Sequence, residues 1–398
     1  MARSSASSSE RPGSVGPLTR VYLDYAGFAP VDPRVVAVMR PFFEGGAGNP
    51  AASHSLGLEA RASLDGARAK IARLIGGAPG GVIFTASATE ANNLAIKGVA
   101  QRAAGRHLVV SAIEHVSVLH PCRDLEKQGW QVTSVEVDAE GRVAPAEVER
   151  ALRPETVLVS VMAGNGEIGT LQPIREIGRL TRARGVLFHV DAVNAVGRVP
   201  LSVEACAIDL LTLSSNDLYG PPGAGALWVR PEVKLAPLVL GGAQERGYRA
   251  GTENLPAIVG MGVAAELARI ECAPESARLR PLRDRLLDGL RDRIGDARIT
   301  GARGDRRLPH HASLVVPGVK ADAILLELDL RGVAASSGSA CTAIGGQPSH
   351  VLRMIGCDPG VAEGALCFTL GRWTTAAEID LTLDVLPAIV ERLRRLAP

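Results

Sequence analysis

The sequence predicts an α/β protein: one large domain on a mostly parallel sheet of seven strands, followed by a small C-terminal α/β domain. Three observations carry that expectation. From Val21 onward, short β-branched runs alternate with longer amphipathic stretches, the pattern of βαβ units around a parallel sheet. A chain of 398 residues, 46% hydrophobic and 22% charged, has ordinary globular composition and enough length for one large unit and a smaller one. The alternation then changes character near residue 273, where an Arg-rich amphipathic stretch begins.

The first 19 residues are rich in Ser, Pro and Gly and lack the apolar run of a signal peptide, so a disordered tail is expected there. Strands are expected at Gly81–Phe84, His107–Ser111, Gln131–Val137, Val157–Met162, Val186–Val190, Leu210–Ser214 and Gly225–Val229, each a short apolar or β-branched run. Between them, helical periodicity marks Ala91–Arg102, Val118–Gln128 and Ile174–Arg184, and then a long stretch over Leu255–Ile270. Ala273–Glu275 reads as a break, with a new helix over Arg278–Ile294. The domain organisation expected is therefore a tail over 1–19, a large domain over 20–272 and a small one over 273–398. The small domain reads as a strand at Ser313–Val316, a helix at Ala321–Leu330, a Gly/Ser-rich loop at Ala335–Gly346, a strand at Leu366–Leu370 and a final helix at Ala376–Leu396.

A formal net charge of +2 with interspersed charges gives no electrostatic case for nucleic acid. No run approaches the ~20 apolar residues that span a bilayer, so no membrane partner is expected. Six scattered cysteines without a CxxC pair fit free thiols in a reducing compartment, and a soluble cytoplasmic protein is the expectation.

Three segments carry chemistry. In FTASATEANNLAIKG, Ser87, Ala88 and Thr89 fall at a helix N-terminus, whose free N–H groups and positive dipole suit a phosphate, although such residues also cap ordinary helices. In FHVDAVNAVG, Asp191 closes a buried strand, where α/β ligands bind, or else caps the next helix. In VAASSGSACT, Cys341 sits among small residues in a loop, as a nucleophile or sulfur carrier requires, although a lone loop cysteine is usually incidental.

Taken with VYLDYAGFAPVDPRV, GNPAASHSLG, LYGPPGAGALWVR, ERGYRAGTEN and FTLGRWT, these segments resemble the cysteine desulfurases of the NifS/IscS type, class V of the aminotransferase fold. The resemblance spans roughly residues 20–396. It implies the fold-type I architecture of pyridoxal-phosphate (PLP) transferases and a homodimer. Chemically, it implies a lysine Schiff base to PLP and a loop cysteine that takes sulfur from cysteine as a persulfide, releasing alanine. By the same resemblance Thr89 matches the phosphate-binding threonine, His115 the histidine stacked on the ring and Asp191 the partner of the pyridine nitrogen. Ser214 matches a phosphate-binding serine, Thr252 a threonine reaching a phosphate across the dimer interface, and Cys341 the persulfide cysteine.

The departures point elsewhere. Where the family reads Ser-Gly-His-Lys, this chain reads Ser214-Ser215-Asn216-Asp217, so Asn216 replaces a phosphate-binding histidine and Asp217 the Schiff-base lysine. Gly166 stands for an asparagine at the cofactor hydroxyl, Asn194 for a glutamine, and Cys367 for the arginine that clamps the substrate carboxylate, an ion pair a thiol cannot replace. Five such changes around one pocket indicate natural divergence. No covalently bound cofactor is expected, and PLP or its amine form PMP remains as a non-covalent ligand.

Three functions follow as expectations. The first is sulfur handling as a persulfide on Cys341, with a sulfur donor or acceptor protein, or a desulfurase in a heterodimer, as partner. The second is new acid–base chemistry by Asp217, Asp191 and His115, and the third is a non-catalytic partner subunit of an active desulfurase. A metal site is not expected: His115, His189, Asp191, Asp217 and Cys367 could converge, but His189 reads as a structural histidine.

Overall fold

The structure is a computed structural model that describes residues 20–45, 48–338 and 349–396. The expected tail over 1–19, and Cys341 with most of its loop, lie outside the described residues.

Among the described residues the main sheet has seven strands: β2 (Val82–Thr85), β3 (His107–Ser111), β4 (Gln131–Val135), β5 (Thr156–Ser160), β6 (Leu187–Asp191), β7 (Leu210–Ser214) and β8 (Gly225–Val229). Their order is β2-β8-β7-β6-β5-β3-β4, parallel throughout except that β8 runs antiparallel to both neighbours. Successive residues of a strand point to opposite faces, so each strand feeds two cores. Val82 and Phe84 enter one core and Ile83 the other; Val109 enters the first, Leu108 and Val110 the second. Helices cover both faces, which is why the central strands read as continuous apolar runs. Edge strand β4 is the polar exception, with only Val135 buried.

Helices α3 (Ala88–Ala100), α4 (Val116–Glu126) and α6 (Ile174–Ala183) stand where the periodicity places them. Helix α2 (Ser55–Ile75) is not legible in the same way, because much of its buried stripe, Ala60, Leu64, Ala67, Ile71, Ala72 and Ile75, is alanine and carries little hydrophobic contrast. It is capped by His54, whose Nδ1 accepts from Gly57 N, and ends at Gly76 in the left-handed region.

The expected break at Ala273–Glu275 does not occur: helix α7 runs unbroken over Leu255–Arg293. Pro274 and Pro281 both lie on its exposed side, where the carbonyls they leave unpaired meet water. On the buried side Glu275 accepts from Arg198 Nη1 and Tyr219 Oη, both at 2.7 Å, and Ser276 Oγ donates to Arg198 O. These bonds anchor the helix as it crosses Pro274. Its first half, including Ile258, Met261 and Ala265, joins the core of the main sheet. Its second half, including Leu279, Leu286 and Leu290, joins a separate core with the C-terminal elements.

Those elements are an antiparallel sheet, ordered β12 (Ala365–Thr369), β10 (His311–Val315) and β9 (Arg298–Ile299), with helix α8 (Ala321–Leu330) and the final helix Ala376–Leu396. The N-terminal strand β1 (Val21–Tyr22) crosses over to pair in parallel with β11 (Val333–Ala334). Among the described residues no helix is long and apolar enough to cross a membrane.

Candidate functional site

The carboxyl ends of β3, β5, β6 and β7 and the start of α3 open into one cavity of about 420 Å3, roofed from the C-terminal unit by Ser336, Gly338, His350 and Cys367. This is where ligands sit in open α/β sheets. Ser87, Ala88, Thr89, His115, Asp191, Asn194, Ser214, Asn216 and Asp217 all line it. Thr252 does not: it is exposed, in a separate hollow with Thr85, Ala86 and Arg249.

Ser87 caps α3, its Oγ accepting from Glu90 N at 3.2 Å, while Glu90 reaches back to accept from Ala86 N at 2.8 Å. β8 approaches this turn so closely that a side chain on Gly225 would meet the Ser87 backbone at 2.5 Å. The first N–H groups of α3, at Ala88 and Thr89, therefore face the cavity from a fixed position, ready for an anion.

A hydrogen-bonded chain crosses the floor. Asn92 Nδ2 donates to Asp191 Oδ2 and to Ser117 Oγ, each at 2.8 Å, and Val193 N donates to Asp191 Oδ1. Ser117 Oγ lies 2.7 Å from His115 Nδ1, which also accepts from Ser117 N. The His115 proton therefore belongs on Nε2. Asp191 is thus buried, oriented from two sides and part of the cavity lining.

Asp217 sits in the tight turn after β7. Burial is the main force raising its carboxyl to about 6, with the Asp191 charge adding to it, while a Ser214 hydrogen bond and the Arg198 charge pull the other way. Two carboxyls not singled out by sequence behave similarly. Glu114 is fully buried and pushed up to about 8, despite accepting from Ser111 Oγ and from Met162 N at 2.7 Å. Glu167 is pushed up to about 7 by burial, against a hydrogen bond from Ser349 Oγ. Both stand beside positions already named, Glu114 before His115 and Glu167 after Gly166, but neither place in the sequence distinguishes a buried acid from an exposed one. Asp24, Asn92, Ser117, Asn165, Ser336 and His350 complete the polar lining that sequence reasoning missed.

Asp24, Glu114, Glu167, Asp191 and Asp217 line the cavity, and among the described residues no lysine or arginine does. Cys367 is buried on β12 with its Sγ 3.2 Å from His311 Nε2, and burial raises its thiol far above the usual range. The nearby Arg307 guanidinium does not substitute for a carboxylate clamp, being spent on the carbonyls of Thr300, Ala302 and His311. Gly166 and Asn194 are reciprocal: a Cβ on Gly166 would lie 3.0 Å from the Asn194 amide atoms, so Asn194 fills the space a residue-166 side chain would use.

His189, two residues before Asp191 on the same face of β6, stays out of the cavity. Its ring nitrogens bond Ser160 Oγ at 2.8 Å and Thr212 Oγ1 at 3.1 Å, and burial drives it down to about 3. The five described cysteines are free.

A pyridoxal-type ligand can be tested against this lining. The α3 N-terminus with Ser214 suits its phosphate, and Asp191 suits a protonated ring nitrogen. The ring and phosphate ends fit. At the remaining end residue 217 presents a carboxyl, which offers no nitrogen for a covalent bond.

Residues 21–381 match the aminotransferase class-V family. The chain is 46% identical over 379 residues to cysteine desulfurase IscS 1 of Archaeoglobus fulgidus, covering 95% of this chain and 98% of that protein. It is 44% identical over 380 residues to cysteine desulfurase IscS of Dictyoglomus turgidum, covering 95% and 96%. A solved NifS-like protein superposes with a TM-score of 0.88 at 34% identity, covering 94% of this chain and 100% of that one.

Proposed function

The chain belongs to the class V aminotransferase family, among its cysteine desulfurase-like proteins, and from that premise we propose that it handles sulfur as a persulfide on Cys341 without lysine-linked desulfuration. One observation carries this reading. The cavity presents Asp217 and four other carboxyls and, among the described residues, no amine, and all five lysines of the chain (Lys70, Lys97, Lys127, Lys234, Lys320) stand outside it.

Cys367 supports the same reading from the substrate side, because a neutral buried thiol cannot clamp a carboxylate. A cofactor of the pyridoxal type, when bound, supplies an electron-withdrawing ring. Here Asp191, held by Asn92, and the His115 Nε2–H would orient such a ring, and the first turn of α3 with Ser214 would hold its phosphate.

Sulfur transfer needs none of that machinery. The Cys341 thiolate attacks the outer sulfur of a donor protein's persulfide, a new S–S bond forms, and the donor thiolate leaves with its electron pair. Cys341 then carries the outer sulfur until an acceptor thiolate repeats the exchange, with no net oxidation. A homodimer in the cytoplasm completes the proposal, its partners being the persulfide-bearing donor and the thiol acceptor.

The test is incubation with a desulfurase loaded from 35S-cysteine, followed by mapping of the label. Label on Cys341, lost in Cys341→Ser, with no alanine formed from free cysteine by this protein alone, is the expected result. Alanine release by the isolated protein, or label indifferent to Cys341→Ser, overturns it.

A second reading rests on the three raised carboxyls, Asp217, Glu167 and Glu114, which can carry protons near neutral pH around one cavity. In that reading Asp217 divides acid and base roles with Asp191 and His115, and Asp217→Ala abolishes turnover while the fold survives. Turnover unchanged in that variant rejects it.

A further inference from the structure

We propose that Asp217 makes the cavity select a ligand that carries an ammonium group on the arm facing residue 217, so that pyridoxamine 5'-phosphate is held in preference to its neutral alcohol counterpart, pyridoxine 5'-phosphate. The inference rests on the reading above that the cavity keeps its ring-holding and phosphate-holding groups, and adds the chemistry of the remaining end.

The lining is short of donors. Asn92 is fully buried, and its Oδ1 has no partner among the described residues. The Asn92 orientation is not arbitrary: its other amide atom faces the carboxylate Asp191 Oδ2 and must be the nitrogen. Beside Asp217 the Asn216 Oδ1 is likewise buried and has no partner among the described residues. These amide oxygens and the Asp191 and Asp217 carboxyls make this side of the cavity rich in acceptors.

Among the described residues no cationic side chain lines the cavity. Arg198 lies behind the Asp217 turn, but its Nη1 serves Tyr219 Oη at 2.6 Å and Glu275 Oε1 at 2.7 Å, and its Nη2 reaches only the Asp217 backbone carbonyl. Its charge is matched by Glu275. Asp217 and Asp191 are close enough that the Asp191 charge disfavours ionisation of Asp217. A ligand ammonium placed against Asp217 relieves that repulsion and forms a charge-assisted hydrogen bond. The usual division of charge is thereby exchanged, with the carboxylate on the protein and the amine on the ligand.

The two ligands differ at one group, ammonium against hydroxyl, so their affinities isolate it. Isothermal titration of the full-length protein with each is expected to show pyridoxamine 5'-phosphate tighter by about tenfold or more. In the near-isosteric Asp217→Asn variant the difference should shrink to within about threefold. Equal affinities in the unaltered protein overturn the inference and leave the cavity reading standing. A preference that survives Asp217→Asn also overturns it, since the ammonium is then held elsewhere. Binding of neither ligand overturns the cavity reading and the inference with it.

Discussion

Asn92 Nδ2 donates to Asp191 Oδ2 at 2.8 Å, tying the first turns of α3 to the end of β6. The same nitrogen holds Ser117, and through it His115, so one buried amide sets two walls of the cavity. Replacing it leaves a buried carboxylate short of a donor, at a cost of about 1–3 kcal/mol. Asn92→Ala should lower stability by that amount in urea denaturation and weaken pyridoxamine 5'-phosphate binding. A variant with unchanged stability would show that the bond contributes nothing net.

Glu114 predicts a pH dependence with a definite sign. Its folded value of about 8 stands above the usual 4.5, so above pH 4.5 the unfolded chain gives up a proton that the folded chain keeps. The contribution to stability is fully present below 4.5 and is lost as pH rises to about 8. Three buried histidines, His189, His310 and His311, act in the opposite direction below 6.5, because each is held neutral when folded. Comparing Glu114→Gln with the parent cancels them. The variant should gain on the order of 2–4 kcal/mol relative to the parent between pH 5 and 8.5, read from urea midpoints. A constant difference across that range would refute the buried-acid description.

Much of the fold was legible because each strand of the main sheet except edge strand β4 carries an apolar run that fills two cores. The elements that escaped have physical reasons: α2 hides its stripe in alanines, and α7 crosses Pro274 because Glu275 and Ser276 tie its opposite face to Arg198. Motif order brought nine of the named side chains to one cavity. Glu114 and Asn92 escaped because what distinguishes them is full burial, and Glu167 because its surroundings include Ser349 from 182 residues away, features that exist only once distant parts of the chain converge. The remote half of such a site has no local sequence signature.

Thiol reactivity separates the cysteines. Cys367 and Cys122 are buried, and burial holds both thiols well above the usual range, that of Cys122 at about 12. Neither should be alkylated by iodoacetamide at pH 8 in the folded protein, as intact mass and peptide mapping would show. Cys367→Ser should leave persulfide loading of Cys341 unchanged. Loss of loading in that variant would assign Cys367 a part in sulfur transfer that its burial argues against.

Gly166 and Asn194 predict a coupling that can be measured. A methyl group on Gly166 would come 3.0 Å from the Asn194 amide, closer than side chains tolerate without displacement. Gly166→Ala alone should therefore cost about 1–3 kcal/mol as overpacking. With Asn194→Ala the space is vacated and the methyl is accommodated, so the double variant should be more stable than the two single changes predict when summed. A coupling energy of about 0.5 kcal/mol or more in a double-mutant cycle is the expected outcome. Additivity would mean that the Asn194 side chain swings aside freely. The two positions could then have changed independently, and the cavity wall they share would be adaptable instead of fixed.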